Sequence, residues 1–158
     1  MTLSRTTFVA AALCLTAASA PAQWSAPAEV THDDKLVLTY RAMWQGDYLL
    51  VRAAIEPGWH TFVMDNKQRE QEKLAGKPSL GVEKSTEVNP VKGLTLVGPW
   101  LQSQPKDFSK PEIRHFTWGF EKEATFAAKA RRAGSGPVEI EVRGQACAAE
   151  ICMNIDVT

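Results

Sequence analysis

Val138-Glu139-Ile140-Glu141-Val142 alternates apolar and charged residues without a break, the period of a strand with one buried and one wet face. It leads directly into Gly144-Gln145-Ala146-Cys147-Ala148-Ala149-Glu150-Ile151-Cys152-Met153, and a last short strand is expected over Met153 to Val157. Upstream, Leu36 to Tyr40 and Tyr48 to Ile55 are rich in β-branched and aromatic residues, with Gln45-Gly46-Asp47 between them as a hairpin turn. Pro57-Gly58 turns the chain into a further strand over Trp59 to Met64. Strand-like material resumes at Gly81 to Val88 and Leu94 to Val97. A polar loop then runs from Pro99 to Pro111, and Ile113 to Trp118 and Ala124 to Ala130 read as another strand pair before the turn Gly134-Ser135-Gly136-Pro137.

Only Asp65 to Gly76 departs from this pattern. It is strongly charged and reads as a short exposed helix or a long loop, a solvated insertion in either case. Many short strands with turn signals and almost no helical period predict an all-β fold, an immunoglobulin-like antiparallel sandwich in a single domain.

Residues 1–22 have the layout of a signal peptide: Arg5, an apolar run from Phe8 to Ala18 too short to span a bilayer, and Ala20-Pro21-Ala22 for cleavage. Cys14 would leave with that leader, since the bulky Leu13 before it does not suit a lipoprotein site. Residues 23–35, mixed in Ala, Pro and charge, are expected to be an extended lead-in, and residues 36–158 the domain. About 135 residues then remain, enough for one core. Removal of the leader also leaves an even cysteine count, Cys147 and Cys152, in an oxidising, exported compartment such as the periplasm, where a disulfide persists.

With 18 basic and 18 acidic residues, the chain has no electrostatic grip for nucleic acid or anionic lipid. No glycine-rich phosphate loop, Ser-His-Asp order or zinc-ligand spacing is present, so nucleotide and hydrolase chemistry have no foothold. The chemistry is in the cysteines. A bridge across so short a loop restricts the unfolded chain by only about 2 kcal/mol, which makes it easier to justify as a reagent than as a staple. No Lys, Arg or His lies between the two, and Glu150 would raise a neighbouring thiol's pKa, so no strongly acidified nucleophile is expected.

An exported β-sandwich with Pro57-Gly58-Trp59-His60 at a strand start and Gly-Gln-Ala-Cys-Ala-Ala-Glu-Ile-Cys after a late alternating strand resembles the N-terminal periplasmic domain of the thiol:disulfide interchange protein DsbD, over most of the chain from about Leu36. The resemblance implies that Cys147 and Cys152 are a redox pair needing no other cofactor. The pair would relay reducing equivalents from a membrane electron donor of the DsbD type to thioredoxin-like or other exported thiol proteins. It also implies a cap loop that shields the pair with an aromatic ring, for which Lys106-Asp107-Phe108 is the match, Phe108 the shield and Asp107 its acidic neighbour. His60 and Phe62 correspond to side chains near the pair. The chain departs from the family at Met153-Asn154-Ile155, where prolines are common, and at Lys106, where another acid is usual. It also carries neither a membrane-spanning carrier nor a thioredoxin-like domain, so the donor is expected to be a separate chain.

Plainer readings stand beside these. The bridge could be a passive pin in a binding module, and Phe108, His60 and Phe62 could be ordinary packing residues. Trp44, Trp59, Trp100 and Trp118 are most simply core or rim. A third reading gathers His60, His115, Met153 and the cysteines as a site for Cu(I), which suits thiolate and thioether ligands.

Overall fold

Leu49, Val51, Ala53 and Ile55 are buried at every second position of one strand, and Ala124, Phe126, Ala128 and Ala130 at every second position of another. The two strands pair antiparallel with Val51 opposite Phe126 and Ala53 opposite Ala124, so both buried rows lie on one face. This pair is the centre of the first of two sheets in a computed structural model of the chain, which describes residues 23–78 and 83–158.

In chain order the strands are β1 (Ala28–His32), β2 (Lys35–Gln45), β3 (Tyr48–Ile55), β4 (His60–Phe62), β5 (Glu87–Lys92), β6 (Leu94–Gln102), β7 (Lys106–Asp107), β8 (Trp118–Phe120), β9 (Glu123–Arg132), β10 (Glu139–Cys147) and β11 (Cys152–Val157). One helix, α1 (Asn66–Leu74), follows β4. The first sheet runs β1-β2-β3-β9-β6 and the second β11-β10-β4-β8-β7, with β5 also on β10; all pairings are antiparallel. The fold is an all-β, immunoglobulin-like sandwich. Its core draws on both sheets, and Phe120 of β8 meets Phe126 of β9 edge-on at 5.8 Å across the layer between them.

Several elements differ from the sequence pattern. The lead-in contributes a strand, β1, because Val30 reaches the core opposite Leu38 despite its polar surroundings. The strand expected over Ile113 to Trp118 is absent: Pro111–Ile113 forms a 3-10 turn and Arg114 takes a left-handed backbone (φ 56°), so extended structure resumes only at Trp118. Its expected pairing changes too, since β8 lies between β4 and β7 while β9 pairs with β3 and β6. Extended structure begins at Glu87 rather than Gly81, and residues 79–82 lie outside the described part, as does the leader over 1–22.

The charged insertion is a helix, but not a fully solvated one. Asn66, Glu70 and Leu74, spaced four apart, form a buried stripe. At its start burial pushes the Asp65 carboxyl upward, but the Arg69 guanidinium, ion-paired with it at 2.9 Å, and a hydrogen bond donated by Gln102 outweigh that and hold it below the usual range.

Candidate redox site

The alternation of β10 brings Ala146 onto the core face and Cys147 onto the opposite one, where Cys147 is nonetheless only 3% exposed. β11 starts at Cys152, directly opposite Cys147 in the ladder, and the connection closes with the Ala148 N–H donating to the Ile151 carbonyl at 2.8 Å. The two sulfurs are joined in a disulfide of 2.01 Å at the mouth of this hairpin. Cys152, unlike its partner, is exposed.

On its other side β10 pairs with β4, placing Thr61 opposite Ala146 and His60 opposite Cys147. Directly opposed residues of antiparallel strands share a face with their Cβ atoms about 5 Å apart, so the His60 and Cys147 side chains emerge side by side. Phe62, two residues along the same face, meets the His60 ring edge-on at 5.3 Å. Thr61, fully buried, fixes the strand junction by donating to the Gln145 carbonyl at 3.0 Å, and Thr86 donates to the Phe62 carbonyl at 2.5 Å.

Phe108 reaches this face from the turn after β7. Its ring lies 5.0 Å from that of His60, tilted by 39°. The approach depends on Gly119 of β8, which pairs with both Phe62 and Lys106. A Cβ there would stand 3.1 Å from the Phe108 ring and 2.1 Å from the Thr61 carbonyl oxygen, so any side chain at 119 displaces the ring or parts the strands. Lys106 sits over the other side of the turn, its Nζ 5.1 Å from the Phe108 ring centre and 2.9 Å from Glu121.

The segment carrying Phe108 is held at its base. Phe108 N–H donates to the Thr117 carbonyl, and Ser109 Oγ accepts from Thr117 N–H at 3.1 Å. Asp107 accepts from Ser109 N–H at 2.8 Å, and hydrogen bonds from Ser109 hold its carboxyl below the ordinary range. Asp107 thus holds the turn that carries Phe108. Farther out, Lys110 and His115 pair across the loop, and His115 Nε2 meets Glu83 Oε1 at 2.8 Å. That contact commits a nitrogen which the copper reading would have given to metal. Among the described residues no group of three or more His, Cys, Asp or Glu side chains gathers as metal ligands.

Behind the loop, Asn66 of α1 is completely buried. It donates to Thr117 Oγ1 at 2.9 Å and accepts from Trp118 N–H at 2.9 Å, which ties the helix to the end of the cap segment. Nothing in the charged run marks Asn66 for this task. Gly119 does carry a signal, a lone glycine between two aromatics in a strand, which denotes a close backbone approach.

His60 is half-buried. Burial is the main reason its pKa falls below the ordinary imidazole value; Glu121 and Glu83 pull it upward and Lys106 pushes it down again. It is therefore neutral at pH 7, the form whose ring nitrogen can accept a proton.

The sequence-expected residues Cys147, Cys152, His60, Phe62 and Phe108 are thus gathered on one face of the second sheet, with Asp107 at its margin. No protein-family model and no curated protein sequence matches the chain. Among solved structures the chain is similar to the N-terminal domain of DsbD from Neisseria meningitidis in the reduced form, at 16% identity and a TM-score of 0.45, over 77% of this chain and 85% of that one.

Proposed function

We propose that the protein is a thiol–disulfide exchange domain that takes up and hands on two electrons through Cys147 and Cys152. The observation that carries this reading is the asymmetry of the bridge: one sulfur-bearing residue is buried, the other is open to a partner. Exchange requires a thiolate to approach along the S–S axis at an accessible sulfur, with a second thiol nearby to resolve the mixed disulfide. Cys152 is the sulfur a partner meets, and Cys147 is the leaving or resolving group.

A staple is a poor use of this bridge. Cys147 and Cys152 are already ladder partners in a hairpin, and the ring they close contributes only about 2 kcal/mol through the unfolded chain. Phe108 supplies a gate. Packed against His60, it narrows access to the buried side of the pair until a partner displaces it.

The partners consistent with this chemistry are a membrane electron donor on one side and exported thiol proteins, thioredoxin-like ones included, on the other. The periplasm, which tolerates disulfides, is the setting. Among the described residues no helix is long and apolar enough to cross a membrane. The test is transfer itself: oxidised protein is mixed with a reduced thioredoxin-like protein, quenched in acid and alkylated. The expected result is loss of the Cys147–Cys152 bridge with equal oxidation of the partner, through a mixed disulfide at Cys152. A bridge that survives unchanged overturns the proposal.

A further inference from the structure

His60 is placed for more than packing. Its side chain emerges beside that of Cys147, it touches Phe62 and Phe108, and among the described residues no hydrogen bond occupies its ring nitrogens. The charged groups around it are committed elsewhere: Glu121 to Lys106 at 2.9 Å, and Glu83 to His115 at 2.8 Å. Cys147 faces it from β10, Phe108 and Lys106 from the cap turn, Glu121 from the end of β8, and Glu83 from ahead of β5. An imidazole without a hydrogen-bond partner among the described residues, next to a buried sulfur and shielded by two aromatic rings, is an arrangement for moving a proton.

We propose that His60 is the acid–base partner of Cys147, taking the proton from its thiol when the reduced pair closes and returning one when the bridge is opened. This rests on the exchange reading above. When reduced protein meets a substrate disulfide, the Cys152 thiolate bonds one substrate sulfur, the substrate S–S bond breaks and the first substrate thiolate leaves. Cys147 then loses its proton to His60 as its sulfur bonds Cys152 Sγ. The Cys152–substrate bond breaks, and its electron pair leaves on the second substrate sulfur, which takes a proton from the imidazolium or from water. Two protein thiols become one disulfide, and one substrate disulfide becomes two thiols.

The base is needed at Cys147 and not at Cys152. A buried thiol resists ionisation and has no water to receive its proton, whereas the exposed Cys152 has solvent. The gain is substantial: even a thiol of ordinary pKa near 8.5 is only about 3% ionised at pH 7, so complete deprotonation accelerates its attack by about 30-fold, and that of a buried thiol by more.

One equivalent of dithiobis(nitrobenzoate) separates the two steps, because the first coloured thiolate is released by Cys152 and the second by Cys147. His60→Phe keeps a ring against Phe108 and removes the base; His60→Gln keeps polarity without a basic nitrogen and carries the test if the first variant does not fold. In both variants the second release should be about tenfold slower near pH 7, with the first release unchanged. In wild type the second release should slow further once the pH falls below the ordinary imidazole range and His60 takes a proton, an inflection both variants lack. Equal second-phase rates in wild type and variants across that range would overturn the assignment. A missing first release in wild type would instead remove exchange itself, and this inference with it.

Discussion

His60 and Cys147 stand directly opposite each other where β4 meets the end of β10, the imidazole on the same face as the buried sulfur. Around that pair the other parts take their places: Cys152 on the solvent side, Phe108 against the imidazole, and Gly119 leaving room for the ring.

The unequal exposure of the two cysteines gives them unequal behaviour when separated. Cys147→Ser leaves the exposed Cys152, which should form a mixed disulfide with oxidised glutathione. Cys152→Ser leaves the buried Cys147, which should do so at least about tenfold more slowly because its sulfur is screened from solvent. Mass spectrometry over time decides it. Equal rates would mean the burial of Cys147 does not govern access.

Phe108→Ala removes the ring that lies against His60. Reduction of the bridge by a small monothiol should become several-fold faster, with a thermal midpoint little changed, because Phe108 is only partly buried. Alkylation of quenched samples measures it. An unchanged rate would show that Phe108 is only packing.

Acid should weaken the fold through His60. Its folded-state pKa is lowered, mainly by burial, so between the folded and unfolded values the unfolded chain binds more protons than the native one. That contribution is fully present above the ordinary imidazole pKa of about 6.5 and is lost as pH falls from there through the folded value. His60→Phe should flatten this part of the pH profile, read as thermal midpoints for both proteins between about pH 5 and about pH 7.5. Asp65, whose carboxyl is held low by Arg69 and Gln102, weakens the fold only at lower pH, as the medium falls through its depressed value.

Asn66→Ala leaves the Trp118 N–H without its acceptor in a fully buried site. The loss should be about 2 kcal/mol, or about 6 °C in thermal midpoint for a domain of this size. Because the same amide holds Thr117, at the base of the cap segment, the bridge should also become more reducible by small thiols. A midpoint within about 1 °C of wild type would place the helix outside the support of the site.

The strands that alternate cleanly were legible in the sequence, because one face of each meets the core: Tyr48 to Ile55 is found whole as a strand, and the run from Val138 to Val142 is found from Glu139 onward. The grouping of Cys147, Cys152, His60, Phe62 and Phe108 came from the resemblance and not from a local pattern; the structure places His60 opposite Cys147 and Phe108 against His60. What was hidden lies where tertiary partners override local pattern. Val30 sits among polar residues, and Trp118-Gly119-Phe120 is buried at all three positions, without a period to read. β7 is two residues long and exists only because β8 offers it a partner. Asn66 was unreadable, since a buried amide in a charged run depends wholly on Thr117 and Trp118, about fifty residues away, for its hydrogen bonds.

The reduction potential of the Cys147–Cys152 pair, obtained by equilibration against a glutathione or dithiothreitol series, probes the exchange role at its root. A carrier should equilibrate within the span of exchange proteins, between about −270 and −120 mV. A value below about −300 mV, beyond the reach of the thiol pool, would make the bridge a fixed element of the hairpin and contradict the relay.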